Sequence, residues 1–494
     1  MDKQQAKELF LDTLRRTSRL RSAAALLEWD MDTIMPPKGL NVRAETAGAI
    51  SGEIFRLSTA DEFGRAVEIL KETPAENDAK MARMLEVADR DYTRFKKIPL
   101  QEYEAYSVAA AQSSQIWKEA KANNDYDMYA PHLQKMIDFS RSFADKWGYE
   151  KHAYDALLEE YDPALLSDQI DPVFAELLAG TKEILSSVPQ RQSCPEVPVA
   201  EKNQYEIGMY LLKTMGYDLQ AGNLYSTEHP FTCTVHSGDV RVTTKYHENQ
   251  PSSSVFSVMH EGGHGMYEQN ISPDLDGSNL MDGTSMGIHE SQSRFWENIV
   301  GRSLGFWQSN FDEVCRLAGK PLAQNAEEYW KSINHIQPSL IRIEADELTY
   351  NLHIIIRYEL EKQMLNTGIS AKELPELWNA KYKEYLGVQP ANNSQGIMQD
   401  SHWAGGSFGY FPSYAIGNLY AAQFAASMQK ELGAVSSLVG STNGLGSIAA
   451  WLKANVQQYG KLKTPEQILK DATGQTLNAK PFLEYMRQKV KSLY

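Results

Sequence analysis

The sequence predicts a mainly α-helical fold that carries one short β-hairpin. Apolar residues recur at spacings of three and four through most of the 494 residues. Strict alternation of apolar and polar residues is confined to one stretch, near residues 231–243. No internal repeat or low-complexity linker interrupts the chain.

Taken in order, Leu9, Leu11, Leu14, Leu20, Ala24 and Leu27 give residues 4–29 a helical stripe, which Pro36 and Pro37 break. Long amphipathic stretches follow at roughly 41–58, 77–97, 100–123, 127–147 and 166–187. The looser segment SSVPQRQSCPEVP precedes a helix near 200–216. Phe231, Cys233 and Val235 then alternate with Thr232, Thr234 and His236. After Ser237-Gly238, Val240 and Val242 alternate with Asp239, Arg241 and Thr243, which places that polar triplet on one face of a strand. A lone hairpin is marginal in water, so it must pack on helices. Helices resume at 254–270 and 284–305. Pro338 is expected to open the longest helix, ending near Asn366 before Gly368. Residues 371–386 read as helix, 387–413 as a long ordered loop rich in Gly, Asn, Ser and aromatics, and the remainder as helices. Loops of that length are usually functional. Length alone suggests about three domains, yet no boundary is marked.

The net charge of −15 disfavours nucleic acid and anionic membranes as partners. Cys194, Cys233 and Cys315 form neither a disulfide framework nor a metal knuckle, and they suit a reducing compartment. The opening MDKQQAKELF lacks the apolar core of a signal peptide, and no run of 18 apolar residues occurs. A cytoplasmic location is the resulting expectation.

The chemistry is concentrated in SVFSVMHEGGHGMYEQN, residues 254–270. His260 and His264 are four residues apart. On a helix that is about 400° of turn and about 6 Å of rise, so both imidazoles leave one face and can share a metal. Glu261 lies about 100° round and can reach a water without binding the metal itself. A chance match on a core helix is the competing reading. Against it, Gly262, Gly263 and Gly265 each cost about 1 kcal/mol in a helix, so a second helix or a substrate must approach the backbone there. A catalytic site needs a third protein ligand and an open position. Glu290, 26 residues after His264, is the favoured ligand. Its neighbour His289 is the rival, and more simply a histidine that hydrogen-bonds to a ligand. The alternative His-x-x-Gly-x-x-His continuation is absent after His264. Glu261 would then act as the base. His402, Tyr410 and Tyr414, in DSHWAGGSFGYFPSY, are candidate donors to a developing oxyanion, although each alone reads as a packing residue.

These residues resemble the M32 family of metallocarboxypeptidases. The resemblance rests on His229-Pro230-Phe231; Asp239, Arg241 and Thr243; His260 to His264; His289-Glu290-Ser291-Gln292; Ile341, Arg342, Ala345 and Asp346; and Gly396, Gln399, Asp400, His402 and Trp403, with WDMDTIMPPKG near residue 30 also similar. It implies one peptidase domain over 1–494, with the zinc site and substrate motifs within 229–414. The implied fold is a large helical one with a deep central groove and a small β-hairpin or sheet near the active site, like neurolysin and angiotensin-converting enzyme. The resemblance further implies zinc that cobalt can replace, a homodimer, and release of single residues from peptide C-termini with broad tolerance and reluctance at proline. It makes His229, Asp239, Arg241 and Thr243 candidate substrate contacts.

Removing a C-terminal residue requires a cation for the free carboxylate, and arginine's planar fork suits it. Arg342 is the leading candidate, with Arg357 and Arg241 behind it. The bland alternative for Arg342 is an intrahelical pair with Asp346. The hairpin edge can take an extended peptide as an added strand or be a structural corner only. Two other functions stay open: an endo-acting oligopeptidase with the same metal site, and a zinc-stabilised binding protein. The second needs no base such as Glu261.

Overall fold

The computed structural model describes residues 1–72, 78–189 and 195–494; Cys194 and the middle of the looser segment before residue 200 lie outside them. The chain opens with a reciprocal cap: Gln5 N donates to the Asp2 carboxylate while Asp2 N donates to the Gln5 side chain. The helix it starts, α1 (Lys3–Thr33), has 31 residues. The next amphipathic stretches form α2 (Leu40–Ser58), α3 (Asp61–Lys71), α4 (Ala79–Lys97), α5 (Leu100–Asn123) and α6 (Tyr126–Trp147). Asp78 and Asp125 cap α4 and α6 by accepting from Met81 N and Met128 N. Then come α7 (Ala153–Leu158), α8 (Ser167–Ser186) and α9 (Glu201–Met215).

The alternating stretch forms the expected hairpin, β2 (Thr232–His236) and β3 (Asp239–Thr244), with Cys233 opposite Arg241. A third strand not foreseen, β1 (Leu224–Ser226), lies parallel to β3 on its other side, so the order is β1-β3-β2. β2 is therefore an edge. The helices then continue as α10 (Pro251–Asn270), α11 (Met286–Arg294), α12 (Leu304–Ala318), α13 (Ala326–Ile333), α14 (Tyr350–Lys362) and α15 (Leu374–Leu386). After the loop at 387–410 come α16 (Phe411–Leu432), α17 (Val435–Leu438), α18 (Thr442–Asn455), α19 (Pro465–Thr473) and α20 (Lys480–Leu493). One buried apolar cluster runs from Ala6 in α1 to Leu493 in α20.

The expected helix over 338–366 is cut short. Residues 338–349 hold a tight turn at Arg342–Glu344 and another at 347–349, and α14 begins at Tyr350. The cause is Asp346. Its carboxylate accepts from Leu348 N, Thr349 N, Thr349 Oγ1 and Gln337 N. A short polar side chain that captures nearby backbone donors competes with the helix and marks its start instead. The stretch 284–305 is also divided, because α11 passes into a wide-pitched turn at Phe295–Val300 before α12.

α10 sits at the centre of this arrangement, against α9, α11 and the sheet. The glycines in its sequence mark a second helix. A Cβ on Gly263 would lie 2.6 Å from Gln292 O and 2.7 Å from Ser293 Cα, so the α10 and α11 backbones touch there. On the far side of α11, a Cβ on Gly417 of α16 would lie 2.5 Å from Glu290 Cγ. Glu290 is thus wedged between two helices.

Candidate active site

His260 and His264 project from one face of α10, with ring centroids 4.8 Å apart. Ser285 caps α11 by accepting from Ile288 N, and this helix brings Glu290 opposite the two rings. Glu290 Oε2 lies 3.6 Å from His260 Nε2 and 3.4 Å from His264 Nε2. One ligand atom from each residue fits within 4.8 Å of the others.

The remote atoms of all three residues are already committed. His260 Nδ1 lies 2.8 Å from Glu297 Oε2. His264 Nδ1 lies 2.6 Å from His289 Nδ1, whose Nε2 is 2.8 Å from Glu268 Oε1. Arg294 Nε donates to Glu290 Oε1 at 2.6 Å, and Arg294 NH1 to Glu297 Oε2 at 3.1 Å. Two imidazole nitrogens and one carboxylate oxygen, each fixed from behind, fit a tetrahedral divalent ion with one open position. Protonation agrees with that at Glu290 and His264, whereas at His260 the Glu290 and Glu297 carboxylates outweigh burial and raise the pKa. Burial opposes the Glu290 carboxylate, yet Arg294 and His260 beside it hold its pKa far below the usual range. Burial, with His289 and His260 nearby, pushes His264 down to about 3, so its ring is neutral. His289 stands against His264 Nδ1 and is not among the three residues whose ligand atoms converge.

Glu261 is buried next to this group. Thr232 Oγ1 on the edge strand β2 donates to Glu261 Oε2 at 2.7 Å and to Glu261 O at 3.0 Å. Burial raises the Glu261 carboxyl above its usual range. Its Oε1 accepts no hydrogen bond from the described residues.

A second cluster surrounds Arg342. Arg342 Nε and NH2 donate to Asp400 Oδ1 at 2.9 and 2.8 Å, and NH1 to Tyr350 OH at 3.0 Å. Of five guanidinium N–H groups, two remain. The alternative pairing of Arg342 with Asp346 is thereby excluded. Arg357, one fallback, is fully buried and spent: it donates to Asp400, Gln399, His353 O and Tyr382. Arg241, the other, pairs with Asp239 at 2.7 and 2.8 Å and stacks its guanidinium 4.5 Å from the Trp29 ring centroid. His402 Nε2 is 3.2 Å from Tyr414 OH, while its buried Nδ1 meets no partner among the described residues. Burial, with Arg342 and Arg357 nearby, lowers His402 to about 4, so it is neutral at neutral pH. Tyr410 stacks on His402 at 5.6 Å, and burial beside Glu290 pushes its hydroxyl up to about 12. Tyr350 joins the clusters: Arg294 stacks 4.4 Å from its ring while its hydroxyl accepts from Arg342.

The expected substrate contacts on the hairpin stand differently. Thr243 is fully buried, and its hydroxyl accepts from Phe231 N and donates to Phe231 O, which ties the strand to the turn before β2. Asp239 and Arg241 bind each other, and Arg241 packs on Trp29 of α1. His229 is exposed in the turn before β2, its carbonyl accepting from Thr227.

The profile of the carboxypeptidase Taq (M32) metallopeptidases matches residues 9–490. The chain belongs to the M32 metallopeptidase family. Carboxypeptidase 1 of Bacillus subtilis (strain 168) is 40% identical over 98% of both chains. Thermostable carboxypeptidase 1 of Thermus thermophilus is 35% identical over 100% of both. The crystal structure of the M32 carboxypeptidase from Deinococcus radiodurans R1 superposes with a TM-score of 0.94 at 32% identity, covering 99% of each chain. An M32 metallopeptidase requires a metal ion, and among the described residues His260, His264 and Glu290 are the group that can hold it. No helix among the described residues is long and apolar enough to cross a membrane.

Sequence reasoning missed Thr232, Glu268, Arg294 and Glu297. A signal was present for two of them. Arg294 and Glu297 follow Glu290 by four and seven residues, which is one helix face.

Proposed function

We propose that this M32 metallopeptidase is a zinc-dependent carboxypeptidase that releases single residues from peptide C-termini. The observation that carries the reading is the charge count around Arg342. Two buried arginines share one aspartate, and His402 near them is neutral. One positive charge is left over, on the arginine that keeps two free N–H groups. A terminal carboxylate is the chemical complement of that site.

A divalent ion held by His260, His264 and Glu290 supplies charge that polarises a carbonyl and acidifies water. The protein's own groups do the rest. Arg342 takes the terminal carboxylate and fixes which bond reaches the catalytic residues. Glu261 Oε1 takes the water's proton and passes it to the leaving amine. Thr232 keeps Glu261 Oε2 turned away, so one oxygen does the transfer. Neutral His402 donates from Nε2 to Tyr414 OH, which leaves the hydroxyl protons of Tyr414 and Tyr410 to be donated to the oxyanion. Peptide backbone can pair along the open edge of β2, where Thr232 already faces Glu261. Broad tolerance of side chains, poor action at proline, replacement of zinc by cobalt, a homodimer and a cytoplasmic location complete the proposal.

The test is digestion of an N-blocked peptide followed by mass spectrometry over time, with chelator and with metal restored. A ladder of single C-terminal losses, abolished by chelator and restored by zinc or cobalt, supports the reading. Internal fragments support an endo-acting oligopeptidase instead. No cleavage by a folded, metal-loaded sample points to a binding protein.

A further inference from the structure

One buried group lies outside the metal site and outside every motif in the sequence. Glu361 projects from the same face of α14 as His353 and Arg357, at intervals of four residues, and all three are fully buried. Its carboxylate accepts three hydrogen bonds: from Trp403 Nε1 at 2.6 Å on Oε1, and from Tyr154 OH at 2.7 Å and Gly409 N at 3.1 Å on Oε2. A buried carboxylate is costly unless fully bonded. Two of these three bonds go to one loop.

That loop carries the candidate oxyanion donors. Arg357 holds its first part through Gln399 and Asp400. Glu361 holds the rest through Trp403 and Gly409. His402 sits between the Asp400 and Trp403 attachments, and Tyr410 follows Gly409 directly. The Gly409 attachment has little freedom to shift. Its φ is +89°, and a Cβ there would lie 2.7 Å from Leu157 C. Arg357 and Glu361, on successive turns of α14, thus pin the two parts of the loop.

We infer that Glu361 is a positioning residue, which through Trp403 and Gly409 sets where His402 and Tyr410 stand over the reacting carbonyl. This rests on the carboxypeptidase reading. Glutamine at 361 keeps one acceptor oxygen but turns an NH2 toward the remaining donors, so it releases at least one attachment without changing the helix. The carboxylate anchor at Arg342 is held separately, by Asp400 and Tyr350. Ground-state binding should therefore survive while the transition state loses its donors.

The experiment compares the native enzyme with Glu361→Gln, Trp403→Phe and the double variant, by steady-state kinetics on a free-acid peptide and by hydrogen exchange of the segment 400–410. The expected result for Glu361→Gln is a loss in kcat of about tenfold to a hundredfold, the scale of a misplaced catalytic group, with KM within about twofold. Gly409 N–H should exchange faster, and the double variant should be no worse than the poorer single one. A folded Glu361→Gln enzyme with native kcat overturns the inference, as do additive losses with unchanged exchange at 400–410. A native enzyme that fails to shorten the peptide from its C-terminus overturns the carboxypeptidase reading, and the inference with it. Native cleavage with an unaffected variant overturns the inference alone.

Discussion

Asp400 accepts from Arg342 on one carboxylate oxygen and from Arg357 on the other, at 2.8 and 2.7 Å, and so pairs with both arginines at once. Burial alone would raise its pKa, but the two guanidinium groups hold it far below the usual carboxylate range. Asp400→Asn leaves two buried positive charges unopposed. The expected cost is about 3–5 kcal/mol of stability, the range for breaking a buried ion pair from one side. Denaturant unfolding of the purified variant measures it; a loss below about 1 kcal/mol would contradict this account of the cluster.

Glu261→Gln keeps the shape of the side chain and removes the proton acceptor. The account expects kcat to fall about a hundredfold to ten-thousandfold with metal affinity unchanged. Thr232→Val removes only the bond that directs Glu261, so about a tenfold loss is expected, the worth of one such bond to a charged group. Kinetics and metal titration of both variants decide the matter. Equal losses in the two would deny Glu261 its separate role.

Glu297 lies behind His260 and is held down to about 2 against its burial by Arg294 and His260. With Glu297→Gln, the ring of His260 loses the carboxylate that fixes its orientation. Metal affinity should drop about tenfold to a hundredfold, as read by competition with a chromophoric chelator and without any substrate. Native affinity in that assay would show that the packing of α10 alone orients the ring.

Burial lifts the Glu361 carboxyl to about 7, against the bonds from Tyr154, Trp403 and Gly409 that favour its charged form. In the unfolded chain a glutamate titrates near about 4.3. The folded protein therefore binds the extra proton between those values. Its contribution to stability is full below about pH 4 and is lost as pH rises through about 7, by about 4 kcal/mol in all. Because the metal ligands titrate alike in native protein and in Glu361→Gln, the difference between their unfolding curves isolates this group. That difference should shift against the native protein from about pH 5 to about pH 8. A flat difference would mean that the carboxylate is charged throughout.

What the sequence disclosed and what it withheld follow the range of the interactions. The helices near the site and the hairpin are set by patterns a few residues long, and those patterns were readable. His260, Glu261 and His264 share one turn of helix and stand out together. β1 has three residues and pairs with a strand 18 positions on, too short to show alternation. Asp346 ended the expected helix over 338–366 because its bonds to Gln337 and Thr349 outweigh a helical pattern that looks continuous. Thr232 reaches Glu261 across 29 residues, and Arg342 reaches Asp400 across 58. Nothing local marks such partners, so the charge left over at Arg342 is visible only once the chain is folded.

The most direct test of the central claim is a comparison of one peptide as free acid and as C-terminal amide, cleaved by native enzyme and by Arg342→Ala. The account predicts that the native enzyme strongly prefers the free acid. It predicts that Arg342→Ala raises KM for the acid by about tenfold to a hundredfold, the worth of a charge-assisted pair, and barely changes the slow cleavage of the amide. Equal losses on both peptides would contradict Arg342 as the anchor of the terminal carboxylate.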